Sequence, residues 1–203
     1  MNKIIHKLFP TPVFQFKVNN FENLNKQLSD YIYELKKNDE KGIQKSNVNG
    51  WHSKNFKIEK DNVPYNFVKA IHEHVKEVIV DGYGWKYIPE KVGISEIWAI
   101  INKKGTFNQS HNHPGSYLSA AYYVKAPENC GNIHFYEPNE VKKFHTPPIE
   151  KMTELSSSGF SIKPEEGNLL IFPSYLYHDV GKSLSDEDRI VISFNVSILP
   201  IKK

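Results

Sequence analysis

Three histidines and one arginine in the second half of the chain have residue types and a spacing suited to metal chemistry. His111 and His113 are two residues apart in HNHPGS, so on a β-strand both side chains would leave the same face. His178 follows much later, and Arg189 lies eleven residues beyond it. Three imidazoles can bind one face of a divalent transition metal and leave the opposite positions open. A planar, permanently charged guanidinium suits a carboxylate, so the pattern predicts a non-heme metal site that holds an anionic co-substrate.

Other histidines are weaker candidates. A second HxH pair, His72 and His74, lies on a predicted helix, where this spacing puts the rings on different faces, and we assign it to the surface. His134 alternates with apolar residues in a predicted strand and is interpreted as a hydrogen-bonded structural histidine. Asp179 follows His178 directly and should point to the opposite face of its strand.

Length and composition indicate one soluble domain spanning residues 1–203. A net charge of +3 with scattered lysines gives no specific nucleic-acid signal. The single cysteine, Cys130, cannot form an internal disulfide, which fits a reducing cytoplasm. Pro10 and Pro12 interrupt the N-terminal apolar run too early for a signal peptide, and no stretch approaches the roughly 20 apolar residues of a membrane span. We therefore expect a cytoplasmic protein without a membrane partner.

Hydrophobic periodicity changes near residue 91. Before it, the pattern predicts a strand at 12–18 and two helices, one ending near Lys37 and one running from about Asp61 to about Gly82, with an irregular loop at 39–61 between them. After it, alternation predicts strands at 91–102, 117–124, 132–136, 160–162, 168–172, 177–180 and 189–198. Two helices followed by short strands favour a β-sandwich or barrel with helices against one sheet. A polar stretch at 137–158 is interpreted as a long surface loop or lid.

The last predicted strand has two distinct faces. Its apolar row should pack on the N-terminal helices, and its more polar row should line a pocket. The apolar row is Ile190, Ile192, Phe194 and Val196, and the other is Arg189, Val191, Ser193 and Asn195. A polar row of Arg, Ser and Asn inside a globular domain favours a pocket over an ordinary surface face.

Several motifs in order carry a family resemblance. The chain has HNHPGSYLSAAYYVKAP, GNIHFYEP, EEGNLLIFPSYLYHDV and RIVISFN between about Glu96 and Asn195, and NGWHSKNF upstream at 49–56. These resemble the 2-oxoglutarate- and Fe(II)-dependent oxygenases, above all a group found in phages and bacteria. The resemblance implies an α+β, mainly β fold, a double-stranded β-helix (a jelly-roll or cupin-like barrel) buttressed by N-terminal helices. Residues 1–90 would form an N-terminal strand and supporting helices, and 91–200 the core.

The resemblance also implies an activity and its residues. The protein would hydroxylate an unidentified substrate and release succinate and CO2, in the host cytoplasm if a phage encodes it. Fe(II) would be bound by His111 and His178, and by His113 where the wider superfamily has Asp or Glu. Arg189 would grip the far carboxylate of 2-oxoglutarate.

Secondary candidates surround this set. Tyr122 and Tyr123 fit two interpretations equally well: both pack as core aromatics, or one of them reaches 2-oxoglutarate. Strand parity does not choose between the two tyrosines, because the turn after His113 resets the register. Ser193 lies on the strand face of Arg189 and could add a hydroxyl hydrogen bond. Asn102 is expected to line the pocket.

Two other functions fit the same residues. A three-histidine, cupin-type dioxygenase would use no 2-oxoglutarate, and Arg189 would then hold an acidic substrate. A catalytically silent barrel would be a binding or structural module with a metal for stability only. The substrate is not readable from the sequence, although loops 39–61 and 137–158 are where specificity is expected. Pairing of edge strands into a homodimer is possible for such barrels.

Overall fold

Two antiparallel sheets form the core of the molecule. The computed structural model describes residues 3–199, apart from the side chain of Lys143; residues 1–2 and 200–203, at the ends of the predicted domain, lie outside this range. The described strands are β1 (Phe14–Lys17), β2 (Asn47–Val48), β3 (Trp51–His52), β4 (Val92–Asn102), β5 (Phe107–His111), β6 (Leu118–Lys125), β7 (Ile133–Tyr136), β8 (Gly159–Ile162), β9 (Asn168–Pro173), β10 (His178–Val180) and β11 (Arg189–Ile198). The larger sheet has the order β1-β9-β6-β11-β4-β3 and the smaller one β2-β5-β10-β7-β8. The predicted mainly β fold is confirmed.

Two long helices pack against the larger sheet. They are α1 (Phe21–Asn38) and α2 (Val63–Glu77), and a π-helical turn continues α2 over residues 78–82. The side chain of Asn62 caps α2 by accepting a backbone hydrogen bond at 2.8 Å, with Pro64 in the first turn, where its missing N–H costs nothing. Among residues 3–199 no helix is long and apolar enough to cross a membrane.

The two faces of β11 separate the two cores, as predicted. Its apolar row belongs to the core shared with α1 and α2, where Phe67 of α2 lies 5.0 Å from the ring of Tyr122 and 6.2 Å from that of Phe194. On the opposite face, Val191 packs between the sheets in a second core with Tyr123. A fully buried apolar side chain contributes about 1.5–3 kcal/mol, so these rows fix which face of β11 can line a pocket.

The structure adds elements that periodicity did not predict. Loop 39–61 contains β2 and β3, which pair with β5 and β4, and loop 137–158 contains a short helix, α3 (Glu140–Phe144). Alternation also did not predict β5, although the spacing of His111 and His113 was interpreted as that of a strand. Two-residue strands have no period of their own, because their pairing partner alone decides where they form. Through β1, β2 and β3, the N-terminal segment contributes strands to both sheets.

Candidate active site

Two of the three histidines face each other across a strand pair. β10 runs antiparallel to β5, and His178 lies directly opposite His111, with ring centroids 4.4 Å apart. The third, His113, lies beyond the end of β5, so it is not on a strand with His111 as expected. Its backbone N–H instead donates to the carbonyl of Ser174 at 2.8 Å, which holds the chain after β5 close to the end of β9.

The three imidazoles form one cluster of ligand size. His113 has ring centroids 5.1 Å from His111 and 5.2 Å from His178, and one nitrogen of each ring lies within 4.8 Å of the others. Small rotations of the side chains would bring these nitrogens to the roughly 2.0–2.1 Å from a single ion that is typical of metal–imidazole bonds. The sequence therefore named the residues that the fold brings together.

Backbone carbonyls orient two of the rings. Nδ1 of His111 lies 2.7 Å from the carbonyl of Gln109, and Nδ1 of His178 lies 2.9 Å from that of Leu176. A carbonyl only accepts, so Nδ1 carries the proton in both rings and Nε2 presents its lone pair. Such outer hydrogen bonds are the usual way in which proteins fix the tautomer of metal-binding histidines.

Burial keeps the cluster neutral. It lowers the pKa of His113 to about 3, with further lowering by the neighbouring His178 and His111. Burial, followed by the proximity of His111, lowers the pKa of His178 to about 4, and burial also lowers the pKa of His111. At pH 7 all three rings are therefore neutral imidazoles and able to bind a cation without losing a proton.

No carboxylate completes this cluster among residues 3–199. Asp179 points to the opposite face of β10, as predicted, where its Oδ1 accepts from Nδ1 of His134 at 2.8 Å and its Oδ2 from the hydroxyl of Tyr136. His134 is thus a hydrogen-bonded structural histidine. His72 is exposed on α2, and His74 packs against Phe16 with ring centroids 4.8 Å apart, so neither lies near the cluster.

A cavity of about 580 Å³ opens beside the histidines. His111, His113, His178, Arg189 and Ser193 all line it. Its volume falls within the roughly 300–1,000 Å³ of small-molecule sites. The three histidines and Arg189, predicted to form one site, therefore line one cavity together with Ser193.

Arg189 is buried in this chamber without a counter-ion. Only 2% of its surface is exposed, its Nη1 donates to Oδ1 of Asn102 at 3.0 Å, and among the described residues its Nε has no hydrogen-bond partner. The guanidinium lies 5.3 Å from the ring centroid of Tyr123, and no carboxylate in residues 3–199 forms an ion pair with it. It is also the only arginine in the sequence. A buried, unpaired cation is costly, so this one is suited to an anionic ligand.

The structure separates the two tyrosine candidates. Tyr123 points between the sheets, and its buried hydroxyl has no hydrogen-bond partner in the described part of the chain. Tyr122 points the other way, into the helix-facing core, where its hydroxyl donates to Oδ1 of Asn25 at 2.6 Å. Tyr122 therefore does not face the pocket. The alternation along β6 is regular, but the turn before it set a parity that the sequence did not show.

Asn102 is also placed differently from the expectation. It does not line the cavity but lies behind Arg189, its partner across the β4–β11 pair. Its amide Nδ2 donates to Thr106 at 3.2 Å and to Asn108 at 3.4 Å, so Oδ1 is turned toward the guanidinium. Asn102 positions Arg189 and does not contact the cavity itself.

One wall of the cavity is formed by residues that the sequence did not identify as site residues. His52 stacks on Trp98 with an interplanar angle of 7°, and Trp98 in turn lies 5.7 Å from the ring of His113. Lys45 and Glu96 line the same cavity. The signal for His52 was the motif NGWHSKNF, whereas Lys45 and Glu96 have no local pattern that marks them.

The sequence family agrees with this geometry. Residues 96–195 match the family described as "Putative 2OG-Fe(II) oxygenase". The matched segment is about half of the 203-residue chain and contains the three histidines and Arg189. The chain therefore belongs to the 2OG-Fe(II) oxygenase family. Among curated proteins, none matches it.

Solved structures of such oxygenases share the fold. A prolyl-4-hydroxylase from Pseudomonas putida has a TM-score of 0.66 at 11% identity, covering 94% of both chains. A viral collagen prolyl hydroxylase from Paramecium Bursaria Chlorella virus-1, in complex with 2-oxoglutarate, has a TM-score of 0.59 at 14% identity, covering 91% of this chain and 94% of that chain. HygX from Streptomyces hygroscopicus, solved with nickel and 2-oxoglutarate bound, has a TM-score of 0.62 at 10% identity, covering 93% of this chain and 83% of that chain. These likenesses confirm the double-stranded β-helix.

Proposed function

We propose that the protein hydroxylates a C–H bond of a substrate while it converts 2-oxoglutarate to succinate and CO2. The observation that carries the proposal is the buried, unpaired Arg189 in the same cavity as the three-histidine cluster. A metal site alone would not need a buried guanidinium, and an anion site alone would not need three convergent imidazoles. Together they match a metal and a dicarboxylate held side by side.

The donor set fits iron. Imidazole nitrogens are common ligands of divalent iron, and the low pKa values of His113 and His178 keep their lone pairs free at neutral pH. His111, His113 and His178 would hold the ion. Because none of them is charged, the bound site would keep one positive charge more than a site with a carboxylate ligand, which favours an anionic chelating co-substrate.

Two orphaned polar atoms fit 2-oxoglutarate. Nε of Arg189 and the hydroxyl of Tyr123 are buried without partners. Burying such groups unsatisfied costs about 1–3 kcal/mol each. A bound carboxylate would satisfy Nε of Arg189, which lines the cavity, and we expect the hydroxyl of Tyr123, which packs beside this guanidinium, to add a second contact. Ser193 lies on the same face of β11 as Arg189, four residues further along the strand, and would add a hydroxyl donor.

When bound, iron and 2-oxoglutarate supply the oxidising chemistry, in which O2, 2-oxoglutarate and R–H yield succinate, CO2 and R–OH. The chain's own residues bind and orient. Arg189, held by Asn102, fixes the far carboxylate, and the apolar side chains of Phe172 and Val191 exclude water around it. His52 and Trp98 wall the cavity beside His113, which restricts the direction from which a substrate can approach.

A three-histidine dioxygenase that uses no 2-oxoglutarate is the second candidate. The observation that favours it is the cluster without a carboxylate, a donor set that does not itself require a 2-oxoacid. In that case Arg189 would bind an acidic substrate.

An anaerobic titration separates the two candidates. Metal-free protein is titrated with ferrous iron and then with 2-oxoglutarate, and the visible spectrum is recorded. We expect a weak metal-to-ligand charge-transfer band only when both are present, and succinate after oxygen is admitted with a substrate. Iron binding without the band would exclude 2-oxoglutarate chelation and favour the second candidate. Absence of iron binding would leave a structural module.

The cellular setting is part of the proposal. Cys130 is buried as a free thiol, which supports a reducing cytoplasm, that of the host if the gene belongs to a phage. A homodimer through edge-strand pairing stays a prediction, and light scattering across a concentration series tests it.

A further inference from the structure

Glu96 lies at the cavity with its carboxylate held by a buried hydrogen-bond chain. The hydroxyl of Ser119 donates to Oδ1 of Asn195 at 2.8 Å, and Nδ2 of Asn195 donates to Oε2 of Glu96 at 2.8 Å. Ser119 and Asn195 are 1% and 3% exposed, whereas Glu96 is exposed and lines the cavity. An exposed carboxylate is normally mobile, so two buried polar residues that orient this one indicate a role in binding.

The orientation of the Asn195 amide follows from this chain. Its oxygen is engaged by Ser119, so only its NH2 group can face Glu96, and the carboxylate keeps Oε1 free for another donor. Among the residues that line the cavity, Glu96 is the one carboxylate. A ligand group that meets it must therefore be a donor, and an ammonium makes the strongest hydrogen bonds of this kind.

Lys45 presents the opposite charge to the same cavity. No ion pair involving its ammonium group, or the carboxylate of Glu96, occurs in residues 3–199, whereas the nearby Lys54 is paired with Asp39 at 2.9 Å. Burial is the main cause of the lowered pKa of His52; the nearby charge of Lys45 lowers this pKa further, and that of Glu96 raises it. Lys45 and Glu96 therefore bring opposite charges to one cavity, and within residues 3–199 they do not form an ion pair with each other.

We propose that the substrate is a small zwitterion, a free amino acid in chemical class, whose ammonium binds Glu96 and whose carboxylate binds Lys45. This inference rests on the proposed function and names the substrate class of the same site. A ligand that carries both a positive and a negative charge can pair with Glu96 and with Lys45 at the same time. A ligand with a single charge can pair with only one of these two side chains, and the other is then left without a partner or repels the ligand. A cavity of about 580 Å³ has room for 2-oxoglutarate and one such molecule.

The experiment is anaerobic calorimetry on the protein loaded with Fe(II) and 2-oxoglutarate. The probes are pooled α-, β- and ω-amino acids, the same pools with acetylated amines, and the same pools with carboxamides in place of carboxylates. We expect binding of the free amino acids, and at least about tenfold weaker binding of both blocked pools, because each has lost one charge-assisted contact. Oxygen uptake with the binding pool should then rise above that with 2-oxoglutarate alone.

Two variants assign the charges. Glu96→Gln should lose the preference for free over acetylated amines and keep the preference for carboxylates over carboxamides. Lys45→Met should show the reverse. Glu59→Gln and Lys60→Met, exposed residues outside the cavity in the 39–61 loop that also contains Lys45, are the control variants and should bind as the wild type does.

The outcomes separate this inference from the proposed function. If the charge-transfer band forms but no free amino acid binds, or the blocked pools bind equally well, the zwitterion is excluded while the oxygenase chemistry stands. If the band does not form but free amino acids still bind the iron-loaded protein, the site recognises a zwitterion without 2-oxoglutarate. Failure of both the band and the binding would overturn both proposals.

Discussion

Arg189 faces Asn102 across the β4–β11 pair, and its Nη1 donates to the Asn102 amide oxygen at 3.0 Å. Asn102 carries no charge, so the hydrogen bond orients the guanidinium without neutralising it. The amide is itself held by Thr106 and Asn108. The protein thus presents a fixed, buried cation to its cavity, and binding of an anion there needs little reorganisation of side chains.

Replacing Arg189 should separate ligand binding from stability. Arg189→Met removes a buried, unpaired charge, so we expect little change in the melting temperature of the metal-free protein. Its affinity for 2-oxoglutarate should fall about a hundredfold or more, because the dicarboxylate loses its counter-ion in a buried site. Titration of the charge-transfer band with 2-oxoglutarate measures this.

Arg189→Lys is the matched variant. It keeps the charge and loses the planar fork, so an intermediate loss of affinity is expected. Unchanged affinity for 2-oxoglutarate in Arg189→Met would mean that the co-substrate does not use this cation.

Adjacent tyrosines provide a paired test on one strand. Tyr123→Phe removes a hydroxyl without a partner in the ligand-free protein, so stability should be unchanged or slightly higher, while the affinity for 2-oxoglutarate should fall by about three- to tenfold. Tyr122→Phe removes the donor to Asn25, so the free energy of unfolding should fall by about 1 kcal/mol with no change in 2-oxoglutarate affinity. Urea denaturation and the band titration give both quantities. If Tyr122→Phe weakened 2-oxoglutarate binding and Tyr123→Phe only lowered stability, Tyr122 and not Tyr123 would contact the co-substrate.

The metal cluster is tested by removing one ligand. His178→Ala should weaken Fe(II) binding by at least about a hundredfold, since loss of even an outer-shell partner of a ligand costs 10–100-fold. His145→Ala, a change of an exposed loop histidine, should bind iron as the wild type does. Metal titration monitored by the melting temperature reports both, because iron that binds only the folded state raises it. Equal shifts in the two variants would contradict the assignment.

The pKa of His113, lowered to about 3, predicts how stability responds to acid. In the unfolded chain a histidine titrates near 6.5, so between pH 6.5 and about 3 the unfolded state binds a proton that the folded state does not. The contribution of the neutral imidazole is therefore complete above pH 6.5 and falls with acidification, by about 1.4 kcal/mol per pH unit.

Denaturation of metal-free protein at pH 7, 6 and 5 measures this slope. His113→Gln, which cannot titrate, should lose stability less steeply than the wild type, by about 1 kcal/mol or more between pH 6 and pH 5. Parallel curves for the two proteins would show that His113 titrates normally in the folded state.

Local pattern was enough for much of this protein. The alternation of β11 identified both the row that packs on the helices and the row that lines the cavity, because on a strand successive side chains must point to opposite faces. The spacing of His111, His178 and Arg189, together with the family motifs, identified the site chemistry. Alternation depends only on neighbouring residues, and the motifs depend only on residue type and spacing, so both can be recognised from the sequence alone.

Only the tertiary structure decided the remainder. His113 reaches the cluster from beyond the end of β5, through a backbone hydrogen bond to a residue 61 positions later, which no local period encodes. The choice of Tyr123 over Tyr122 depended on the register set by pairing of β6 with β11 and β9. The oriented carboxylate of Glu96 depends on residues from three strands. In each case the deciding contact joins segments far apart in sequence, and its energy exists only once the sheets have closed around it.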